Sequence, residues 1–97
     1  IVSLSDERTK ENIQPINYGL AEVTKLKPIT FNFKSKPNIP VYGFVAQDVL
    51  KVFPDLVDNE NGYLTLNYID MIALIIQEMK SMKETIQKLE RKLEQNG

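Results

Sequence analysis

Apolar residues are spread unevenly along this chain, and their spacing changes period several times. From Ser5 to Ile13 the text SDERTKENI is dense in charge, and Ile13 is its one apolar residue, so the stretch has little to bury and belongs at the surface. Between Ile16 and Leu26 the apolar residues Ile16, Leu20, Val23 and Leu26 recur in steps of three and four. That is the rhythm of a short amphipathic helix, which Pro28 would end. In ITFNFK the order alternates, with Ile29, Phe31 and Phe33 apolar between Thr30, Asn32 and Lys34, which predicts a half-buried strand. Pro37 and Pro40 mark SKPNIP as a loop, because proline fixes φ and drives its predecessor out of the helical region. Val41 to Phe44 add a short strand, and Ala46, Val49, Leu50 and Phe53 then share one face of a second short helix that stops at Pro54. In DNENG, residues 58 to 62, Asn and Gly tolerate positive φ, so this turn joins Leu56 and Val57 to the alternating YLTL of Tyr63 to Leu66 as a hairpin.

From Tyr68 onward neither Gly nor Pro interrupts the chain until Gly97, and the pattern becomes its most regular. Ile72, Ile75, Met79, Met82, Ile86, Leu89 and Leu93 advance by three and four in strict alternation, with Ile72, Met79, Ile86 and Leu93 at heptad position a and Ile75, Met82 and Leu89 at d. A helix packed on its own domain needs a wider apolar face than that. Past Met79 the other positions are almost all Lys, Glu, Gln, Arg, Ser or Thr, so the stretch reads as a parallel coiled-coil helix that associates with copies of itself. Glu78 at g can reach Lys83 at the following e of a parallel neighbour, and Glu84 pairs favourably with Lys88 within one helix. Such pairs contribute only on the order of tenths of a kcal/mol. The seam leaves the number of strands open: Ile at a with Leu at d favours two, while Ile75 at d and the methionines blur that preference. So short a coiled coil is weak alone, and the domain before it is expected to add contacts between chains.

Composition narrows the chemistry. Ninety-seven residues suffice for one small domain, and a net charge of -1 from 12 basic and 13 acidic residues gives no basic field, so no nucleic-acid partner is expected for this domain. With no Cys and no His, the chain lacks thiol chemistry, disulfides and the commonest base and metal ligand, and neither a metal nor a cofactor is expected. The longest apolar run, Met71 to Ile76, is too short to cross a bilayer, and IVSLSDER has no basic leader, so no membrane contact and no targeting signal are expected of this fragment. A Gly-rich phosphate loop and carboxylates paired for glycoside chemistry are also missing.

Ser, Thr, Lys, Tyr and the carboxylates remain as candidates for catalysis, and a Ser/Lys pair is the most economical choice. Lysine can serve as the base for serine once burial or a cationic neighbour lowers its pKa. SDERTK supplies Ser5 and Lys10, with Arg8 as a nearby cation. A competing account is purely structural: Ser or Asp before a charged stretch is often a helix N-cap, with Asp6 and Glu7 suited to the helix dipole. Residues five apart on an α-helix lie about 140° apart around the axis and do not face each other. Either Ser5 precedes the helix and Lys10 reaches back, or Lys10 of one chain serves Ser5 of another. The second arrangement is attractive because it would make the chemistry depend on assembly.

SDERTKENI resembles the S-D-x-R-x-K-x-N-I signature that opens the intramolecular chaperone domain of phage tail spikes and tail fibres, peptidase family S74. GFVAQDVLKVFPDLV, from Gly43 to Val57, resembles that family's G-F-x-A-Q-E-V followed by a proline and a valine, and the terminal coiled coil sits where the family has its own. The resemblance covers essentially the whole chain in the right order. It implies a domain that trimerises one end of a β-structured fibre, helps this upstream client fold in register and then cuts itself off. It also implies a homotrimer, a virion-associated precursor made in the host cytoplasm, Ser5 as nucleophile and Lys10 as general base. Asp6, Arg8 and Asn12 match the motif in supporting roles. Thr9 stands at a variable position where Leu is common, and Asp48 replaces the more usual Glu. The module also occurs in the myelin regulatory factor group of transcription factors, which leaves a non-enzymatic trimerisation domain of such a factor, or of a structural protein, as the alternative.

Attack of Ser5 Oγ on the carbonyl before it would open the Leu4/Ser5 bond, whereas a cut after Ser5 would need a different geometry or a carboxylate such as Asp6 or Glu7. Residues 1–4 are then a remnant of the parent still joined to the domain, an uncut precursor. The expected fold is α+β: a head of small helices and short strands over residues 5–67, followed by a helix over 68–97 that forms a parallel trimeric coiled coil.

Overall fold

The computed structural model describes residues 2–16 and 21–96. The chain is α+β, with two antiparallel strand pairs and a long C-terminal helix. The helix expected from Ile16 to Leu26 includes Leu20, which lies outside the described residues. The segment beyond Leu20, Ala21–Lys25, is a 3-10 helix rather than an α-helix. Pro28 pushes Lys27 out of the helical region and so ends the segment. Leu26 still reaches the core.

Strand β1, Ile29–Phe31, pairs with β2, Val41–Gly43, so that Ile29 faces Gly43 and Phe31 faces Val41. The period-two pattern predicts a strand to Lys34, yet β1 ends three residues earlier. The next pair would set Asn32 against Pro40, which has no N–H to donate. The chain turns away: Lys36 N–H donates to the Phe33 carbonyl at 2.9 Å, Ile39 N–H to the Lys36 carbonyl at 3.2 Å, and Asn32 Nδ2 to the Pro37 carbonyl. Phe33 is thus left largely exposed, with its ring edge-on to Phe31 at 4.9 Å.

Helix α1, Ala46–Val52, buries Val49 and gives way at Pro54 to a 3-10 turn, Pro54–Leu56, that buries Leu56. Leu50, assigned to the same face by its spacing, stays exposed. Strands β3, Val57–Glu60, and β4, Tyr63–Leu66, form the expected hairpin with a tighter turn than DNENG suggests. Asp58, Asn59 and Glu60 belong to β3, and Asn61 and Gly62 alone make the turn, with φ of 52° and 87°. Two successive positive φ values match the twist of the flanking strands, and Asn-Gly is the pair that adopts them most readily. Asn59 Oδ1 accepts the Gly62 N–H at 2.9 Å and holds the reversal.

Helix α2, Tyr68–Asn96, spans 29 residues. Asn67 starts it: its Oδ1 accepts the Asp70 N–H at 3.0 Å and its carbonyl accepts the Met71 N–H at 3.1 Å. The Asn67 N–H donates in turn to the Leu56 carbonyl at 2.8 Å, which ties the cap to the head. Val49, Leu56 and Met71 are the buried centre, and Phe44, Phe53, Leu66, Leu74 and Ile75 pack around them. The core therefore sits between α1, the β3–β4 hairpin and the first turns of α2. From Met82 to Asn96 every residue of α2 is exposed in the single chain.

Candidate functional site

The motif near the N-terminus is organised by Asp6. Its backbone is extended, and it caps a 3-10 turn, Glu7–Thr9, with Oδ1 accepting the Arg8 N–H at 2.9 Å. The Arg8 guanidinium folds back onto the same carboxylate, Nε to Oδ1 at 3.1 Å and Nη2 to Oδ2 at 2.8 Å, a two-point ion pair. The Asp6 carbonyl accepts Thr9 Oγ1 at 2.7 Å and the Thr9 N–H at 3.0 Å, and the Glu7 carbonyl accepts the Lys10 N–H at 3.1 Å. The Arg8 side chain, and after it the Arg8 backbone N–H, hold the Asp6 carboxyl below the usual carboxylate range, while Asp6 raises the guanidinium. Two residues past Lys10 the chain bends at Asn12, whose φ of 54° is a left-handed conformation that Asn accepts more readily than most residues.

Ser5 stands before this cap and Lys10 after the turn, in extended backbone with φ −114° and ψ 149°. Lys10 Nζ donates to Ser5 Oγ at 2.7 Å, so the two side chains meet within one chain. This is the arrangement in which Ser5 lies outside the helical turn and Lys10 reaches back. Asp6 performs the capping, which leaves the Ser5 hydroxyl free of that duty. Arg8, expected as a cation near the pair, has its charge answered by Asp6 at 2.8 Å.

Residues 2–15, Leu4, Ser5 and Lys10 among them, are exposed in the single chain. A lysine becomes a base near neutral pH only where desolvation or an unpaired cation disfavours its charged form. In the single chain both side chains are open to solvent, so the contact between them is made without an apolar surround. Of the seam residues, Ile72, Met79, Met82, Ile86, Leu89 and Leu93 are exposed, whereas Ile75 is half-buried against the head. Among the described residues no group of three or more acidic side chains could hold a metal ion, and no helix is long and apolar enough to cross a membrane.

Sequence reasoning missed Thr9, whose hydroxyl closes the turn on the Asp6 carbonyl; its position three residues after a capping aspartate was the available signal. It also missed Gly43. A Cβ there would lie 3.0 Å from Phe31 Cε1 and 3.3 Å from Tyr68 Oη, so the absent side chain lets β2 pass close under both rings.

A family model described as chaperone of endosialidase, peptidase S74, matches residues 5–58, more than half of the chain, opening on Ser5 and closing within β3. The chain is also 33% identical over 69 residues to the uncharacterized protein VP1 of Micromonas pusilla reovirus (isolate Netherlands/2005). That similarity covers 66% of this chain and 4% of the viral protein, so the chain spans a small part of its relative's length. With the motif, the GFVAQDV segment and the family match all in one order along one fold, the chain belongs to the peptidase S74 family, the chaperones of endosialidase.

Proposed function

We propose that this domain is an intramolecular chaperone that joins three chains through α2, aligns the upstream polypeptide for folding and then releases itself through Ser5 and Lys10. The observation that carries the catalytic part is the 2.7 Å contact between Lys10 Nζ and Ser5 Oγ, left over after Asp6, Arg8 and Thr9 have satisfied the turn. A capping motif alone has no use for that contact. The exposed apolar seam of α2 supports the assembly part.

In the proposed reaction Lys10, as the neutral amine, takes the Ser5 hydroxyl proton while Oγ attacks the Leu4 carbonyl carbon. The C–N bond between Leu4 and Ser5 breaks as the Ser5 nitrogen takes up a proton, and an ester to Oγ replaces it. Water then hydrolyses the ester, which frees a Leu4 carboxylate and a new N-terminal Ser5. Asp6 and Arg8 fix the turn that presents both side chains, and Asn12 bends the chain behind them. Because the pair is solvated in one chain, burial by neighbouring chains or by the upstream client supplies the desolvation that Lys10 needs. Cleavage then follows assembly even with both partners on one chain.

The test is a longer chain carrying its native upstream residues, followed by gel, mass and ultracentrifugation. The expected result is a three-chain assembly and two fragments that meet at Leu4/Ser5, with Ser5→Ala and Lys10→Ala each remaining whole. Assemblies mixed from Ser5→Ala and Lys10→Ala chains should also stay whole; cleavage there would mean that Lys10 of one chain serves Ser5 of another. A second reading is a non-enzymatic trimerisation domain, favoured by the completeness of the Asp6 cap, and it predicts trimers that never cut. A two-chain mass would reduce the domain to a dimeric adaptor.

A further inference from the structure

The strict heptad assigns Ile75 to the seam between chains, but the structure has already used that side chain. Ile75 packs with Leu74 against the Val49–Leu56–Met71 centre of its own head. Over the same turns the exposed isoleucines are Ile69 at 59%, Ile72 at 56% and Ile76 at 52%. At about 100° per residue, Ile69, Ile72 and Ile76 fall within roughly 60° of one another, and their centre lies about 140° from the face of Met71, Leu74 and Ile75 that holds the head. Below this point the stripe continues without a break into Met79, Met82 and Ile86, which are equally exposed. Read by exposure, the steps from Ile69 to Leu93 are 3, 4, 3, 3, 4, 3 and 4 rather than an unbroken alternation. Two successive threes amount to a three-residue insertion in the heptad, which locally overwinds a coiled coil.

We infer that the partner of this face is the same face of further copies of the chain, and that its seam near the head runs through Ile69, Ile72 and Ile76, shifting to the a/d register only below Met79. The occupant follows from continuity: the three isoleucines lie in line with the heptad residues that face other chains on the proposed self-association, upon which this inference rests. A seam through Ile72 and Ile75 would bring another helix onto the side where the head sits. One through Ile72 and Ile76 turns each head outward and leaves room for a neighbouring helix. Ile75 is then a core residue of the single chain, and Ile69 and Ile76 are contacts between chains.

The chain has no cysteine, so single cysteines report the register directly under a mild oxidant. In the full chain, Ile76→Cys should give covalent dimers about as fast as Ile86→Cys, and Ile75→Cys should lag by about tenfold or more, because a disulfide needs Cβ atoms within about 4.5 Å. Circular dichroism on each variant checks that the head is folded, and Ile76→Ser, which should lower the assembled mass at fixed concentration without lowering helix content at its head end, gives a second readout. Efficient cross-linking at Ile86 and Ile75 with none at Ile76 would overturn the shifted register and leave self-association standing. No cross-linking at Ile86, with a one-chain mass, would overturn both.

Discussion

Around Met71, order comes from residues far apart in sequence: Leu26 after the 3-10 segment, Val49 from α1 and Leu56 from the turn before β3, joined by Leu74 one turn along α2. Around Ser5 the bonds among the described residues reach at most five residues, from Lys10 back to Ser5, and tie together residues that are all exposed. The first region makes its own low-dielectric interior. The second makes a geometry without an interior. On the proposed self-release this division would delay the chemistry, since a catalytic pair embedded in its own core would be active as soon as one chain folded. The family membership makes that economy intelligible, and the proposed sequence of assembly and release depends on it.

The comparison breaks most readily at the core. Met71→Ala removes a side chain that is 2% exposed and should cost about 2–5 kcal/mol, read as a lower thermal or denaturant midpoint of the head. Gly43→Ala comes next, at about 1–3 kcal/mol by the same melt, because its Cβ would press on Phe31 and Tyr68. At the Asn61–Gly62 turn, Gly62→Ala meets open space but a φ of 87°, so strain alone should cost about 1 kcal/mol. The smallest effect belongs to the motif. The Asp6 carboxyl is depressed by Arg8, so its contribution to the turn is present above the ordinary carboxylate range and is lost as pH falls through the lowered value. An acid titration followed by the NMR signals of Arg8 Nε–H and the Thr9 amide should show the turn loosening there while the head signals stay unchanged. If the head signals moved with them, the two regions would not be separable.

Much of this division was legible in the sequence. The period of α2 is carried by many residues, so no single tertiary contact can disguise it, and Pro54 and Asn61–Gly62 punctuate the chain through backbone constraints that act locally. The failures share a cause in long-range pairing. Phe33 keeps a strand's alternation, but the partner needed to extend the strand is Pro40, seven residues on. Leu50 has a helical neighbour's spacing, but among the described residues the head covers it only in part and leaves it 42% exposed. Ile75 sits at a perfect heptad position, and only the packing of the head removes it from the exposed stripe. In the candidate site the residue types of the motif were readable, whereas the pairing of Arg8 with Asp6 was not, since SDER leaves Arg8 equally able to face Lys10.

Asn67 is the single residue between β4 and α2, and two residues separate β3 from β4. Loops this short close quickly: hairpins form in roughly 1–10 μs, whereas subunit assembly takes milliseconds to minutes and depends on concentration. The β3–β4 hairpin can therefore form long before copies meet, and on the proposed assembly the concentration-dependent step is the encounter between chains. On the proposed assembly and release, dilution should lengthen the delay before the cut and leave the folding of the head untouched, so that the local concentration of chains would set the timing.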